Sequence, residues 1–353
     1  MTRVPHDAGG PDERTREVLL AVVRRHIHTG EPVGSSAVSR DLRTEISPAS
    51  VRAIMAELEE LGLLAQPHTS AGRVPTDLAF RFYVDHLAGR PKLAPNAARS
   101  IEQALATAGD IDALLEEASR QLSRLSHHVG IVLAPDLRRL IIDRLDFVRL
   151  DDRRVVVILL DRGGRVHDRV LTLSEVPDVP ELERVGRYLS EELGGRTLPE
   201  MRRRIEERLA EERAAYDRLM ARGLELGRKA LSEVDDAEVQ LFVEGASNLL
   251  GLPDFPDLDL LREMLRALED KRRLADLLTR ILAQGGPRVV IGHENPVTAL
   301  ARGALVVATY GTETGAVGMV GLVGPVRMAY PRSLGLVTYL AEALSQRLAA
   351  AGN

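Results

Sequence analysis

The sequence contains no cysteine and no tryptophan, and its aromatic side chains are five Phe and six Tyr among 353 residues. The absence of cysteine excludes disulfides, thiolate metal sites and a cysteine nucleophile. No apolar run approaches the roughly 18 residues that a membrane span needs. The N-terminal segment is polar and lacks the apolar core of a secretory signal. The cytoplasm is therefore the expected compartment, and no membrane partner is expected.

The sequence also lacks an excess of positive charge. Its net charge is −5 at pH 7, and its first 95 residues contain equal numbers of basic and acidic side chains, 12 of each. Proteins that coat nucleic acid through their overall charge are strongly basic, so this class is excluded. Any affinity for DNA must therefore come from the placement of a few side chains.

The N-terminal segment carries the start and stop signals of consecutive helices. One helix is predicted over Glu13–Thr29, with Asp12 as its N-cap and Gly30 directly after its last turn. A shorter helix is predicted over Ser36–Leu42. Short turns separate these helices, as in a small DNA-binding unit.

A third predicted helix has two different faces. It begins at Ser47-Pro48, where Ser is the expected N-cap, and continues to about Leu61. Apolar residues recur at helical spacing and are expected to face inward, namely Val51, Ile54, Met55, Leu58 and Leu61. The outer face is small around Arg52 and acidic at its far end, where Glu57, Glu59 and Glu60 cluster. A recognition helix enters the major groove N-terminus first, so this pattern predicts one.

A β-hairpin is predicted directly after the third helix. Leu63–Gln66 forms one short strand, a polar turn ends at Arg73, and Val74–Thr76 returns. This order predicts a winged helix-turn-helix within residues 1–90. The side chains expected to contact DNA are Ser35, Ser36, Ser47, Ser50, Arg52, Thr69, Ser70 and Arg73.

These candidates have different expected roles. Arg52 is the candidate for a guanine contact, and the serines of the second helix and the wing residues are expected to bind phosphate. Ser47 is expected mainly to cap its helix. The aromatic residues Phe80, Phe82 and Tyr83 on the following helix are interpreted as a core cluster that closes the unit.

The remainder of the chain predicts an α+β architecture. Strands are predicted at Gly130–Ala134, Arg139–Leu150, Arg154–Asp161 and Arg165–Leu173. A mostly helical, charged block follows from Pro180 to Gln284. Further strands are predicted at Val289–Ile291, Ala304–Thr309, Val317–Val323 and Val326–Met328, before a helix over Ser333–Ala350. Strands thus lie on both sides of a helical block.

Several motifs resemble the HrcA family of heat-inducible transcription repressors, and they are spread over nearly the whole chain. They are Ser47–Arg52, Glu57–Leu64, Pro67–Asp77, Arg81–Asp85, Gly292–Asn295 and Gly318–Tyr330. The resemblance implies three parts: a winged helix at 1–90, a GAF-like α+β domain at 91–180 and 285–353, and a dimerising insertion at 181–284.

The resemblance also implies a function. Such repressors bind an inverted-repeat operator upstream of chaperone operons as homodimers. A GroE-type chaperonin supports their activity, and heat withdraws that support. Where family members often carry Asn, this chain has Ala53, which cannot form the bidentate contact to adenine, so base preference is expected to differ at one position.

Two other classes of function differ in what they would require of the sequence. GAF-like domains in general bind small molecules, so a ligand-responsive repressor is the alternative, although no constellation of residues supports a ligand site. His293 and Glu294 are interpreted as shaping a turn or an interface. An enzyme is not expected, because the sequence has no phosphate-binding glycine loop, zinc-ligand cluster or Ser-His-Asp elbow. His127-His128 has no nearby third ligand, and no cofactor or metal is predicted.

Overall fold

The computed structural model describes residues 12–68, 72–87, 93–135, 140–162, 166–212, 224–229, 240–255, 257–282, 287–311 and 317–351. The N-terminal part, residues 12–87, is called the head. It consists of α1 (Glu13–Thr29), α2 (Ser35–Asp41), α3 (Pro48–Glu60), β1 (Leu64–Ala65), β2 (Val74–Pro75) and α4 (Asp77–Asp85). None of the helices in these ranges is long and apolar enough to cross a membrane.

The rest of the chain alternates between helices and strands. Its helices are α5 (Pro95–Ala106), α6 (Ile111–Ser126), α7 (Val179–Leu193), α8 (Leu198–Glu212), α9 (Leu258–Glu269), α10 (Lys271–Leu282) and α11 (Tyr330–Ala351), and residues 224–229 are also helical. Its strands are β3 (Val129–Leu133), β4 (Ile141–Arg149), β5 (Arg154–Asp161), β6 (Val166–Thr172), β7 (Arg196–Thr197), β8 (Leu241–Glu244), β9 (Arg288–Ile291), β10 (Gly303–Gly311) and β11 (Val317–Pro325). The mixed α+β class predicted from the sequence is confirmed.

Local sequence signals explain the helix ends of the head. The Asp12 carboxylate accepts a hydrogen bond from the Thr15 backbone N–H at 2.7 Å, which caps α1. At the other end Gly30 adopts a φ of +72°, and its N–H donates to the His26 carbonyl. Both predicted caps of α1 are therefore confirmed.

A five-stranded antiparallel sheet in the order β8-β3-β11-β10-β9 forms the centre of the molecule. Alternate residues of β10 enter different cores, Val306 on one face and Leu305 and Val307 on the other. Helices α6 and α11 cover the first face, and α9 and α10 cover the second. This sheet and its helices, including α5, are called the sheet core.

A second sheet in the order β6-β5-β4-β7 has a hydrophobic core of its own. One face packs on α7, and the buried set continues through α8 to Leu224 and Leu226. Since β4–β7 lie between β3 and β8 in the chain, this unit interrupts the five-stranded sheet. It is called the inserted unit and covers residues 140–229.

Sheet membership differs from the expected division at residues 180 and 284. Strands β4–β6 were expected in the same domain as β9–β11, but they pair with each other and with β7 in a separate sheet. Helices α9 and α10 were expected in the insertion, but they pack on the five-stranded sheet. The alternating pattern of β4–β6 shows which face is buried, and it contains no information on which strands pair.

Two local expectations also differ from the structure. Val326–Met328 was predicted as a strand but forms a turn after β11, where the Met328 N–H donates to the Pro325 carbonyl at 3.1 Å. The block predicted to be mostly helical contains the strands β7 and β8. Both strands are four residues long or shorter, which is too short for a clear periodic signal.

Candidate nucleic-acid interface

Helix α3 is positioned by a cap at its first turn. The Ser47 hydroxyl accepts from the Ser50 N–H at 3.1 Å, and the two hydroxyls lie 3.0 Å apart. Pro48 occupies the first helical position, where its missing N–H costs nothing. The predicted capping role of Ser47 is confirmed, and the Ser50 hydroxyl is engaged at the same place.

The faces of α3 divide largely as the sequence predicts, but Leu61, which was expected to face inward, is 55% exposed because the helix ends at Glu60. Val51, Met55 and Leu58 are buried, whereas Arg52 and Ala53 are exposed. Among the described residues, no hydrogen bond or ion pair is recorded for the Arg52 guanidinium. The N-terminal half of α3 therefore presents one exposed arginine among small side chains.

Helix α2 and the turn that joins it to α3 carry further polar side chains, close in sequence to the start of α3. Ser36 is exposed, but Ser35 is only 8% exposed, so its hydroxyl is less available than predicted. The Ser39 hydroxyl donates to the Ile46 carbonyl at 2.6 Å and holds the connection between the helices. Arg43 lies in that connection and is exposed.

Arg73, which precedes β2 of the short hairpin, is held against α3. Backbone hydrogen bonds in both directions, 2.8 and 2.9 Å long, join Arg73 to Val33. The Arg73 Nε donates to Glu59 Oε2 at 2.8 Å, and the Arg73 side chain is 16% exposed. This ion pair fixes the hairpin to α3, so Arg73 has a structural partner besides any phosphate. Thr69 and Ser70 lie outside the described residues.

The head also makes charged contacts with the sheet core. Arg81 of α4 forms an ion pair with Glu294, and the carboxylate of Asp77 accepts from the His293 N–H at 3.1 Å. The interpretation of His293 and Glu294 as interface residues is confirmed. Phe80 and Tyr83 are buried as predicted, and Phe80 also packs against Tyr330 of the core.

Two half-buried histidines, His26 and His128, lie near this junction. Burial lowers the pKa of His128 to about 4, with a further contribution from the neighbouring His127. Burial also lowers the pKa of His26, whose Nδ1 lies 2.8 Å from the Glu31 carbonyl. Within the described ranges, no group of three or more His, Asp or Glu side chains is arranged to hold a metal ion.

The overall fold has a solved counterpart. A crystal structure at 2.2 Å resolution, described only as a hypothetical protein, matches this chain with a TM-score of 0.59 and 24% sequence identity. The match covers 96% of this chain and 99% of the other. The two proteins share a multidomain α+β fold.

Sequence comparisons define the family. Residues 112–334 match the model of the HrcA protein C-terminal domain. A heat-inducible transcription repressor HrcA from Geobacter sulfurreducens is 40% identical over 337 residues, which cover 95% of this chain and 98% of the relative. The repressor of the same name from Xanthomonas axonopodis pv. citri is 37% identical and covers 97% of both chains. The chain belongs to the HrcA family.

Proposed function

We propose that this protein is a cytoplasmic, heat-inducible repressor that binds an inverted-repeat operator of chaperone operons as a homodimer. The observation that carries the proposal is the exposed N-terminal half of α3, with Arg52, in a chain of the HrcA family. The repressor loses activity on heat stress, when a GroE-type chaperonin is drawn to other clients. No catalytic role is proposed.

The head acts as a winged helix-turn-helix in this proposal. Helix α3 enters the major groove, and Arg52 donates to a guanine. Ser50 approaches the groove beside it, with a smaller contribution from Ser47, and Ser36 and the less exposed Ser35 bind the phosphate backbone. Thr69, Ser70 and Arg73 bind phosphate from the wing. Support comes from the cap of α3, its exposed outer face and the pairing of β1 with β2.

Dimerisation compensates for the weak charge of the head. A unit with no net positive charge gains little from counterion release, so one copy is expected to bind weakly. Two heads on one dimer turn the second contact into an intramolecular one and multiply the affinity. We assign dimerisation to the inserted unit, whose outer sheet face exposes Val148, Val166 and Val170. The sheet core is then the GAF-like domain, in two chain segments.

Replacement of Arg52 tests whether α3 contacts the bases of the operator. Arg52→Ala is expected to cost about 1–3 kcal/mol of operator binding and to relax specificity at one base pair. Footprinting and titration on DNA upstream of chaperone genes measure both effects. Arg262→Ala is the control, because Arg262 is an exposed arginine of α9, outside the head. An Arg52 variant with unchanged affinity and footprint would remove this residue from the interface.

The chaperonin link needs a separate experiment. Operator binding is measured after a heat step with and without purified GroE chaperonin. Recovery only in its presence is expected, and equal recovery would remove the chaperonin from the proposal. Calorimetry with nucleotides and metabolites tests the ligand-responsive alternative.

A further inference from the structure

The head and the sheet core are joined by a charged contact between α4 and the segment after β9. Arg81 Nε donates to Glu294 Oε1 at 2.7 Å, and Arg81 Nη2 donates to the Val289 carbonyl at 2.7 Å. Glu294 is itself fixed, since its Oε2 accepts from the Ile291 N–H at 2.9 Å. The guanidinium is thus bound to two groups of the sheet core, the Glu294 carboxylate and the Val289 carbonyl.

A second contact lies one helical turn earlier on α4. Asp77 Oδ2 accepts from the His293 N–H at 3.1 Å and lies 2.8 Å from the ring Nδ1. Gly292 allows this approach, because a Cβ there would lie 1.9 Å from the same oxygen. Asp77 and Arg81 are four residues apart and therefore share one face of α4.

A third contact involves α1. Arg327, in the turn after β11, forms an ion pair with Asp254 and lies against Gly30 at the carboxyl end of α1. Phe80 of the head packs on Tyr330 of the core, with ring centroids 6.3 Å apart. Contacts on α1 and α4 together resist rotation of the head about either helix.

The exposed part of α3 takes no part in these contacts. Arg52 and Ala53 stay exposed while the head is docked on the core. Docking therefore leaves the predicted reading surface open to DNA. The contacts restrict the orientation of the head, and they do not cover the surface of α3 that is proposed to contact DNA.

We propose that the α4 contact sets the orientation of the head and thereby determines the half-site spacing that the dimer accepts. Asp77, Arg81, His293 and Glu294 are positioning residues in this inference, which rests on the proposed function. A bivalent protein gains from its second contact only when both heads reach their sites together. Heads held in one orientation satisfy a narrow range of spacings, and loosened heads satisfy a wider range.

The test uses the full-length protein and a series of operators with varied spacers between two inverted half-sites. Two added base pairs rotate one half-site by about 70° around the duplex, because one turn takes about 10–10.5 base pairs. The unaltered protein is expected to prefer its best spacing by about tenfold or more over this one. For Arg81→Met combined with Glu294→Gln, the preference is expected to fall to about twofold.

Matched measurements separate positioning from folding. Arg120→Met removes an exposed arginine paired within α6, and it should keep the original preference. Arg81→Lys retains the charge and should restore part of the preference. Affinity for a single half-site, measured at high protein concentration, should be unchanged in all variants. Thermal unfolding checks that each variant is folded.

Several results would overturn the inference. A double variant with the original spacing preference would do so, as would equal loss of affinity at every spacing and at a single half-site. An unaltered protein that binds the operator without any spacing preference would overturn it and leave the proposed function intact. If the unaltered protein binds no inverted repeat, the proposed function itself fails.

Discussion

At the residue scale, glycine is required at position 30 both by the backbone conformation and by close packing. It ends α1 with a φ of +72°, and a Cβ there would lie 3.0 Å from Cζ of Arg327, which Asp254 holds in place. Gly30→Ala is expected to destabilise the protein by about 1–2 kcal/mol through the left-handed backbone, and by more through the Arg327 contact. Urea unfolding measures the total.

Two other glycines separate these effects. Gly62 has a φ of +71° with open space around it, so Gly62→Ala reports the backbone cost alone. Gly109 has neither constraint, and Gly109→Ala should be nearly neutral. Equal losses for Gly30→Ala and Gly62→Ala would show that Arg327 adds nothing.

His128 predicts how stability depends on pH. Its folded pKa of about 4 lies below the ordinary value of 6.5, so the unfolded chain binds the proton more readily. This contribution to stability is complete above pH 6.5 and is lost as the pH falls towards 4. The groups acting on His128 are His127, Asp254 and Arg332, and burial is the main cause. His26 shifts in the same direction.

Replacing the ring should flatten this dependence. His128→Gln is expected to lose less stability than the unaltered protein between pH 7.5 and 5.5, measured by thermal unfolding. The exposed His68 supplies the control, and His68→Gln should keep the original slope. A slope that His128→Gln leaves unchanged would assign the acid sensitivity to other groups.

At the element scale, helices and strands that are specified by signals within a few residues could be predicted from the sequence. Strand pairings between residues far apart in the chain could not. The predicted bounds of α1 and β5 equal the observed ones, because caps mark both ends of α1 and charged residues bound the apolar run of β5. The pairing of β3 with β11 joins residues more than 180 positions apart, and no local pattern specifies it. For the candidate site, the cap at Ser47 and the exposure of Arg52 were predictable for the same reason.

The hairpin of β1 and β2 shows what local reasoning leaves out. The sequence indicates a polar loop with an arginine, but the partner of Arg73 is Glu59, 14 residues earlier on α3. That pairing depends on how the hairpin folds back on the helix. The residues that join the head to the core were likewise invisible as a set, since Arg81 and Glu294 are 213 residues apart.

The Arg73–Glu59 ion pair gives a prediction about the wing. Arg73→Ala is expected to weaken binding at specific and non-specific sites alike, because phosphate contacts carry no sequence information. Glu59→Gln should strengthen binding to all DNA, since it releases the guanidinium and removes a negative charge near phosphate. Titrations at several salt concentrations measure both effects.

Glu60→Gln provides the matched comparison. Glu60 is exposed, adjacent in sequence and carries the same charge, so its replacement reports the loss of negative charge alone. Glu59→Gln should increase the affinity for DNA more than Glu60→Gln does. If the two variants behave alike, the ion pair does not restrain the wing. If Arg73→Ala leaves affinity unchanged, the wing has no role in binding.

At the scale of the whole molecule, the inserted unit exposes apolar side chains on one face of its sheet. Cross-strand register places Val148, Val156 and Val170 in one row and Leu160 beside Val166 in another. Residues directly opposite one another share a face, so both apolar rows lie on one face of the sheet. The row between them places Ile158 between Asp146 and Asp168. Val148, Val166 and Val170 are each 47–58% exposed in the single chain. A second copy of this chain, placed face to face, would remove them from water.

Val170→Glu therefore tests whether this face joins two copies. A carboxylate buried in an interface without a partner costs several kcal/mol, so the variant is expected to sediment as a monomer at micromolar concentration. Operator affinity should then fall to that of one half-site, because the avidity of paired heads is lost. Leu258→Glu introduces the same charge at an exposed leucine of α9 and should leave the dimer intact. A Val170→Glu protein that remains dimeric and binds the full operator tightly would move the dimer interface to another surface.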